Sequence, residues 1–525
     1  MSKIRVLVEI ANPQPDAFAL HTAALFSERE AVNQAEQLVA DLAGYGLEVQ
    51  GDFAPVPMFD PATVQGQSAD ATLGRLVDQM QVTGFAAFAS PTENSDLASA
   101  TTVVACEVDT ARLDALQGHQ NLIVWPNSDL ELFNNNVFTN GNQLFAADDP
   151  NVTWAGDPAT AHPFDLALSN GGVDCRPFRP GVALEVIRQL LSVEAIWQEG
   201  FRGQNIVVGI LDEGVNGQVY PVVGGLAAPN LRPPGAANIT SHGSMCAADI
   251  LVAAPAAKIY DYPFIGGKTS GTALMMFQAV LEQRRQNGTP HLTNNSYGFY
   301  NYPDQVVSPR HEVWDINHPL HRKIREVVAS GAPAFFAAGN CGADCPSGWC
   351  APVATGPGRS IVAASSLAEV ITVAAVNSRH ERIGYSSQGP GRFSAQKPDI
   401  AAYSHFFGNF GADRPAGKVQ PYDSGTSAAT PLAAGVAALL LSAMSNLTPD
   451  LLKQALINSA INLGKPGWDT DTGYGVVNAG AAYAWLKRQP PPSSSSLLEK
   501  LPIVEAVKKI VRKKREKNIG KKVAK

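Results

Sequence analysis

Four side chains in this sequence are of the types that supply a nucleophile, a base, an acid to orient the base, and an amide donor: Ser427, His242, Asp212 and Asn340. Ser427 stands in Gly425-Thr426-Ser427-Ala428-Ala429-Thr430-Pro431, a small-residue turn that opens into an apolar run ending at Met444. A hydroxyl there sits at a helix N-terminus, where unpaired N–H groups and the positive end of the helix dipole favour developing negative charge. On its own such a serine is only a turn residue; its partners decide. His242 lies in Ser241-His242-Gly243-Ser244, ahead of a second small-residue helix at Met245-Cys246-Ala247-Ala248. Asp212 closes the apolar run 206–211, and Asn340 follows the apolar run 334–338 through Gly339. Read as buried parallel strands, the two runs put Asp212 and Asn340 at strand carboxyl ends, where open α/β sheets build their sites. The chemistry would be acyl transfer. Such a set would offer a serine nucleophile, a histidine to carry its proton, a carboxylate to hold the imidazole and an amide donor for a developing oxyanion.

With these motifs and Gly473-Tyr474-Gly475-Val476-Val477-Asn478, residues 196–483 resemble the subtilisin-like serine peptidases. The chain order Asp, His, Ser, with gaps of 30 and 185 residues, is that family's order and not the chymotrypsin or α/β-hydrolase order. The resemblance implies a three-layer α/β/α catalytic domain with a mainly parallel sheet, and serine endopeptidase activity on a protein or peptide substrate. It implies Asp212, His242 and Ser427 as the triad and Asn340 in the oxyanion hole. Ser296, Tyr297 and Gly298 would pair with extended substrate. Ala337, Ala338 and Gly339 would form the other side of the first pocket. Tyr297 would divide the pockets for the first and fourth residues before the cut, or be a packed core aromatic. No pocket segment carries an obvious charge, so an apolar preference is expected. A peptide-maturation transpeptidase shares this chemistry, and a non-catalytic scaffold on the same fold is the non-enzyme alternative.

Two departures from the family pattern concern tuning. Glu213 puts a second carboxylate beside Asp212, and Met245-Cys246 replaces the usual histidine and valine after the catalytic histidine. No redox or nucleotide cofactor is implied, and no metal ligands are assigned. Structural calcium occurs in the resembled family, but no local acidic cluster here calls for it.

Residues 1–133 read differently from the catalytic segment. Residues 3–10 alternate like a half-buried strand, 47–53 form another, and helices are expected at 27–43 and 73–81. The run 101–108, Asp109 as a helix cap, a short helix at 111–117 and the run 122–126 resemble the close of a ferredoxin-like α+β propeptide. That resemblance implies a folding chaperone and inhibitor whose tail lies in the cleft; a permanent accessory domain is the alternative. Residues 134–185 then read as a linker holding the maturation site, 186–488 as the catalytic domain, 489–496 as a Pro/Ser spacer and 497–525 as a basic tail.

A length of 525 residues with 45% hydrophobic and 17% charged composition is that of a multidomain globular chain. No transmembrane helix and no secretory signal are read from the sequence, so a cytoplasmic or non-classically released enzyme is expected. The tail carries a local net charge of +8 against −7 for the whole chain. At helical spacing it would dock on a membrane surface or scaffold partner, or remain solvated; no nucleic acid is expected. Of six cysteines, Cys341, Cys345 and Cys350 cluster directly after Asn340. A loop-closing disulfide with one thiol left over, free thiols, and a three-thiolate metal site all fit that spacing. His311, Glu312, His318 and His321 read as a solvated insertion, with metal binding as the alternative.

Overall fold

The computed structural model describes residues 3–11, 42–58, 101–113, 116, 122–133, 173–175, 182–409, 423–464 and 466–489. Nearly all of the helix expected at 27–43, the helix at 73–81, most of the linker, the spacer and the basic tail lie outside the described residues. Met1–Ala482 forms one unit and Tyr483–Lys525 a second; within the second, Lys487 Nζ lies 4.1 Å from the centre of the Tyr483 ring.

The apolar runs become strands β8 (Val207–Asp212), β11 (Leu292–Asn295), β13 (Ala334–Ala337) and β14 (Ile371–Val376), every residue of which is buried. Strands with both faces covered have no polar side, which is why these runs do not alternate. They form the centre of a nine-stranded sheet in the order β7-β15-β14-β13-β11-β8-β10-β9, with β16 (Ile400–Tyr403) also on β14. The outer members are β7 (Val173–Asp174), β9 (Val222–Gly225), β10 (Lys258–Pro263) and β15 (Arg382–Ile383). All pairings are parallel except β14 with β15. Residues 173–174, read as linker, are thus part of the large sheet.

Helices α1 (Leu184–Leu191) and α2 (Glu194–Gln198) lead into β8. Helix α3 (His242–Ala253) follows the Asp212 loop, and α6 (Thr426–Ala443) carries Ser427. The two cross at Gly435, where a Cβ would fall 2.3 Å from the Ile250 carbonyl oxygen. Helices α4 (Ser270–Asn287) and α5 (Pro319–Ala329) form the other helical layer, with α7 (Pro449–Ser459) and α8 (Ala479–Lys487) late in the chain. Helix α6 is apolar and long enough to pass as a membrane span, unlike the reading from sequence, but 89% of it is buried inside the protein.

The N-terminal strands β1 (Lys3–Ala11), β2 (Leu47–Val49), β4 (Thr101–Asp109) and β5 (Leu122–Pro126) form an antiparallel sheet in the order β2-β4-β1-β5, with β3 (Val56–Met58) also on β4. That order and those directions are the ferredoxin-like arrangement. Asp109 accepts from the Ala111 N–H, as a cap at that position should, and a single turn of 3₁₀ helix follows at Thr110–Arg112. Side chains alternate across the sheet. Val6, Val8, Val104, Cys106 and Val108 enter a small core of their own. Leu7, Val103, Ala105 and Trp125 pack instead with Leu274, Phe277 and Ile324 of α4 and α5. Period-two alternation therefore reports two different cores here, not a core and a solvent face.

The insertion with the histidines is buried, which corrects the solvated reading. His311 is 5% exposed and Glu312, His318 and His321 are 0%. The N-terminal domain covers them: His318 Nε2 bonds with the Pro126 carbonyl oxygen at 3.1 Å, and Ser128 Oγ donates to Glu312 at 2.8 Å. His318 Nδ1 accepts from the Leu320 N–H, so the ring caps the start of α5.

Candidate active site

Asp212 ends β8, and the turn after it is fixed by a second carboxylate. Asp261 on β10 accepts from the N–H groups of Val215 and Gly235, and burial raises its pKa to about 6. Ser241 caps α3 by accepting from the Ser244 N–H and donates to the Gly214 carbonyl, which joins the helix start to the Asp212 turn. His242 then presents Nδ1 to Asp212 at 3.0 and 2.9 Å from its two oxygens. Glu213, expected to tune this pair, also positions it, accepting from the His242 N–H at 2.5 Å. Burial alone would lower the imidazole pKa, but Asp212, with Glu213 and Asp423 behind it, holds it above the ordinary histidine value. Asp212 fixes the tautomer, leaving Nε2 as the basic nitrogen; it makes no hydrogen bond among the described residues.

Cys246, one turn after His242, lies 3.8 Å from both Asp212 Oδ2 and the Ser427 carbonyl oxygen. Burial, then the Asp212 charge, pushes its thiol well up, so it stays neutral packing material. Asp212, His242 and Cys246 bring three donor atoms within 4.8 Å, a set able to hold a soft metal ion, though two of them are already bonded to each other.

Asn340 is aimed by Thr426. The Thr426 N–H and hydroxyl both donate to Asn340 Oδ1, at 3.0 and 2.9 Å, so the amide nitrogen must face the other way. It faces a peptide carbonyl. Asn340 Nδ2 donates to the Phe133 oxygen at 2.7 Å, and Ser427 Oγ donates to the same oxygen at 2.9 Å. The Phe133 N–H donates to the Ser296 carbonyl at 3.2 Å.

The chain ahead of Phe133 lies extended in a groove. The short strand β6 (Glu131–Leu132) pairs antiparallel with β12 (Tyr297–Gly298), and the Leu130 N–H donates to the Lys268 carbonyl at 2.7 Å. The Phe133 ring packs with Tyr300, Ala337 and Cys341. Gly298 must be glycine because a Cβ there would fall 2.3 Å from the ring, whereas Gly339, which meets the ring at ordinary contact distance, is fixed as glycine by its φ of +107° and by Ser387 Oγ, 2.8 Å from where a Cβ would stand. Ser296, Gly298, Ala337 and Gly339 are therefore brought together around Phe133. Tyr297 lends its backbone to the groove, while its ring packs in the core with Phe264 and Phe336 and shares a cluster with Leu130. Ala338 is one step removed, its N–H bonded to the Val373 carbonyl. Sequence reasoning missed Phe133, Tyr300 and Cys341 as site residues. The one available signal was that the last N-terminal segment ends in a short apolar cluster, Leu130, Leu132 and Phe133.

The cysteines pair as Cys341–Cys350 and Cys175–Cys345. The clustered thiol that sequence left over finds its partner 170 residues upstream, and the described free cysteines are Cys106 and Cys246.

Behind His242, a second buried carboxyl pair packs against the chain. Asp249 on α3 faces Asp423, which accepts from the Asn409 N–H at 2.7 Å, and no N–H or hydroxyl of the described residues donates to Asp249. Burial, then the neighbouring Asp423 charge and hydrogen bond, raises the Asp249 pKa well above the carboxylate range. A carboxyl raised on folding gives stability that is complete below about pH 4 and is lost as the pH climbs toward the raised value. Asp249→Asn, in a Ser427→Ala background to prevent autolysis, should then match its parent at pH 4 and melt about 2–4 °C higher at pH 8. Thermal unfolding at both pH values checks this; a shift that ignores pH would remove the buried-proton account.

Comparison with known proteins gives the family. The subtilase family model matches residues 203–475. Subtilisin DY of Bacillus licheniformis is 27% identical over 305 residues, which is 56% of this chain and 96% of that one. Fervidolysin of Fervidobacterium pennivorans is 27% identical over 333 residues, 57% of this chain but only 44% of that one. Its crystal structure superposes with a TM-score of 0.53 at 18% identity, covering 94% of this chain and 62% of that chain, a likeness of fold. Since the family match takes in just over half of the chain, including the strand ends and helix starts that carry Asp212, His242, Asn340 and Ser427, the protein belongs to the subtilase family of serine peptidases.

Proposed function

We propose that the protein is a serine endopeptidase that cuts its own chain between Phe133 and Asn134, with residues 1–133 acting as an inhibitory propeptide. The observation that carries this reading is the Phe133 carbonyl, held at once by Asn340 Nδ2 and by the Ser427 hydroxyl. An oxygen in that position is where an oxyanion develops. Rotation of the Ser427 side chain passes its proton to His242 Nε2 as Oγ bonds to the Phe133 carbonyl carbon. The imidazolium is stabilised by Asp212, and the proton leaves on the Asn134 amine as the peptide bond breaks. Water then releases the acyl group by the same steps in reverse. An unassisted N-terminal domain would leave the cleft slowly, because Leu130 to Phe133 fill it as extended substrate would.

The same contacts define the substrate class: peptides with an aromatic or large apolar residue before the cut, and an apolar residue three positions earlier where Leu130 is buried. Two disulfides favour work in an oxidising compartment, which suits the released alternative better than the cytoplasmic one. The test is intact mass and N-terminal sequencing of the purified protein, with a fluorophosphonate mapped to its site of attachment. A new terminus at Asn134 and label on Ser427 are expected. A cut elsewhere without one at Asn134 would overturn the assignment of the bond, and no label on Ser427 would overturn the enzyme mechanism.

A further inference from the structure

We propose that the Cys341–Cys350 disulfide is the specificity-determining wall of the pocket that holds the residue before the cut, and that it selects an aromatic ring there. The proposal rests on the reading of Phe133 as that residue.

The pocket has little side-chain material of its own. Gly298 and Gly339 flank the Phe133 ring with backbone alone, and Ala337 contributes one methyl group. The remaining contacts are Tyr300, whose ring meets Phe133 edge-on at 5.6 Å and 87°, and Cys341, with Cys350 packed behind it. Sulfur next to an aromatic edge is a favourable contact, and it is polarizable enough to follow a flat ring closely. Shape here therefore comes from Tyr300 and the disulfide.

The bond also holds the parts that surround it. Residues 342–349 include Gly342, Pro346, Ser347 and Gly348 and form no helix or strand. Their first half is tied by the Gly342 N–H to the Tyr385 carbonyl, the Ala343 N–H to Gln388, and Cys345 to Cys175. Their second half has the Ser347 N–H on the Asn340 carbonyl, and then Cys350. The next residue, Ala351, donates its N–H to the Tyr300 carbonyl at 2.9 Å. Opening Cys341–Cys350 thus frees the end of the loop that holds Tyr300 in place. It leaves the other disulfide, and the Thr426 contacts that orient Asn340, untouched. The consequence is a loss of selection more than a loss of chemistry.

The test compares two peptide substrates, Leu-Glu-Leu-Phe and Leu-Glu-Leu-Ala anilides, whose sequence copies residues 130–133 and varies only the last position. Active sites are counted by fluorophosphonate labelling, so that only folded enzyme enters kcat/KM. Wild type should favour phenylalanine by roughly 10²-fold, the scale of burying one large apolar side chain. The double variant Cys341→Ser/Cys350→Ser should lower that ratio by about 10-fold, through the phenylalanine substrate, with the alanine substrate changed less than about 3-fold. Cys175→Ser/Cys345→Ser, which removes the disulfide outside the pocket, should keep the wild-type ratio. Should the first double variant not fold, Tyr300→Leu, with both disulfides intact, should move the ratio in the same direction. A labelled Cys341→Ser/Cys350→Ser enzyme, or failing that Tyr300→Leu, with the wild-type ratio overturns the proposal and leaves the Phe133 reading standing. A wild-type enzyme that labels on Ser427 yet shows no preference for phenylalanine overturns both.

Discussion

Ser427→Ala should reduce turnover by about 10⁶-fold and leave the protein as one uncut chain of 525 residues. The size of the loss follows from what the hydroxyl does. It supplies the atom that bonds to the carbonyl, and neither His242 nor Asp212 can act on substrate except through it. What remains, a factor of about 10³–10⁴ over water, would come from Asn340 and the groove, which the substitution leaves in place. The fold should survive, because Ser427 is fully buried and alanine is the better residue inside a helix. Its two lost hydrogen bonds end on carbonyls that keep other donors: Asn340 on Phe133, and the Phe133 N–H on Ser296. Intact mass after several days checks the cut, and a peptide assay checks the rate. A variant that still yields a terminus at Asn134 would show that another group cuts the chain.

The second large effect is expected far from the catalytic atoms. Glu9 on β1 is 0% exposed and accepts from Arg322 Nη2 at 2.7 Å, from Thr101 at 2.6 Å and from Trp125 at 3.1 Å. Arg322 and Lys323 lie on α5, so this buried cluster joins the N-terminal domain to the catalytic domain; Lys323 adds a bond to the Pro57 carbonyl. An ion pair of this kind adds little over a well-packed apolar pair. Removing one half is another matter, because the other charge stays buried without its counter-ion, at about 3–5 kcal/mol. Glu9→Ala should therefore weaken the hold of the cut N-terminal domain by about 10²–10³-fold, while Glu9→Gln, which keeps an oxygen for Arg322 and Thr101 but loses the acceptor for the Trp125 N–H, should weaken it less. The measurement is the lag before freshly cut enzyme hydrolyses peptide: long in wild type, short in Glu9→Ala, intermediate in Glu9→Gln. Equal lags in all three would mean that Leu130 to Phe133 alone hold the domain.

What was legible in the sequence follows from how each feature is encoded. Asp212, His242, Asn340 and Ser427 each sit where a local pattern changes, at or just past a strand carboxyl end or at a helix start, so a linear reading reaches them. The alternation in β1 was equally plain, yet its meaning was not. Glu9 occupies a position in a strand that would ordinarily face water, and only the second layer under that face, α4 and α5, makes it a buried anchor. The same layer explains His318 and Glu312, whose polarity suggested solvent until Pro126 and Ser128 were found against them. Phe133 could not be placed because its role depends on the register of Leu132 and Glu131 with Tyr297 and Gly298, 165 and 167 residues away in the chain. The loop-closing Cys341–Cys350 bond was among the readings of that cluster, but the partner of Cys345 was hidden for a similar reason: nothing near it points to Cys175.

Cys175–Cys345 has a consequence for how the enzyme lasts once cut. Both partners lie after Phe133, so the loop of 170 residues that the bond closes is kept when the first 133 residues are lost. Closing a loop of that size restricts the unfolded chain by about 5 kcal/mol in the chain-entropy view. On the reading proposed above, an uncut molecule would refold on its own N-terminal template, whereas a cut one that opens fully would have no template and would face attack by its neighbours. For the cut form, durability is then a matter of how rarely it opens rather than how readily it returns. A cross-link made before the cut, between the sheet edge at β7 and the loop beside the pocket, carries restraint over from the molecule that could refold to the one that cannot.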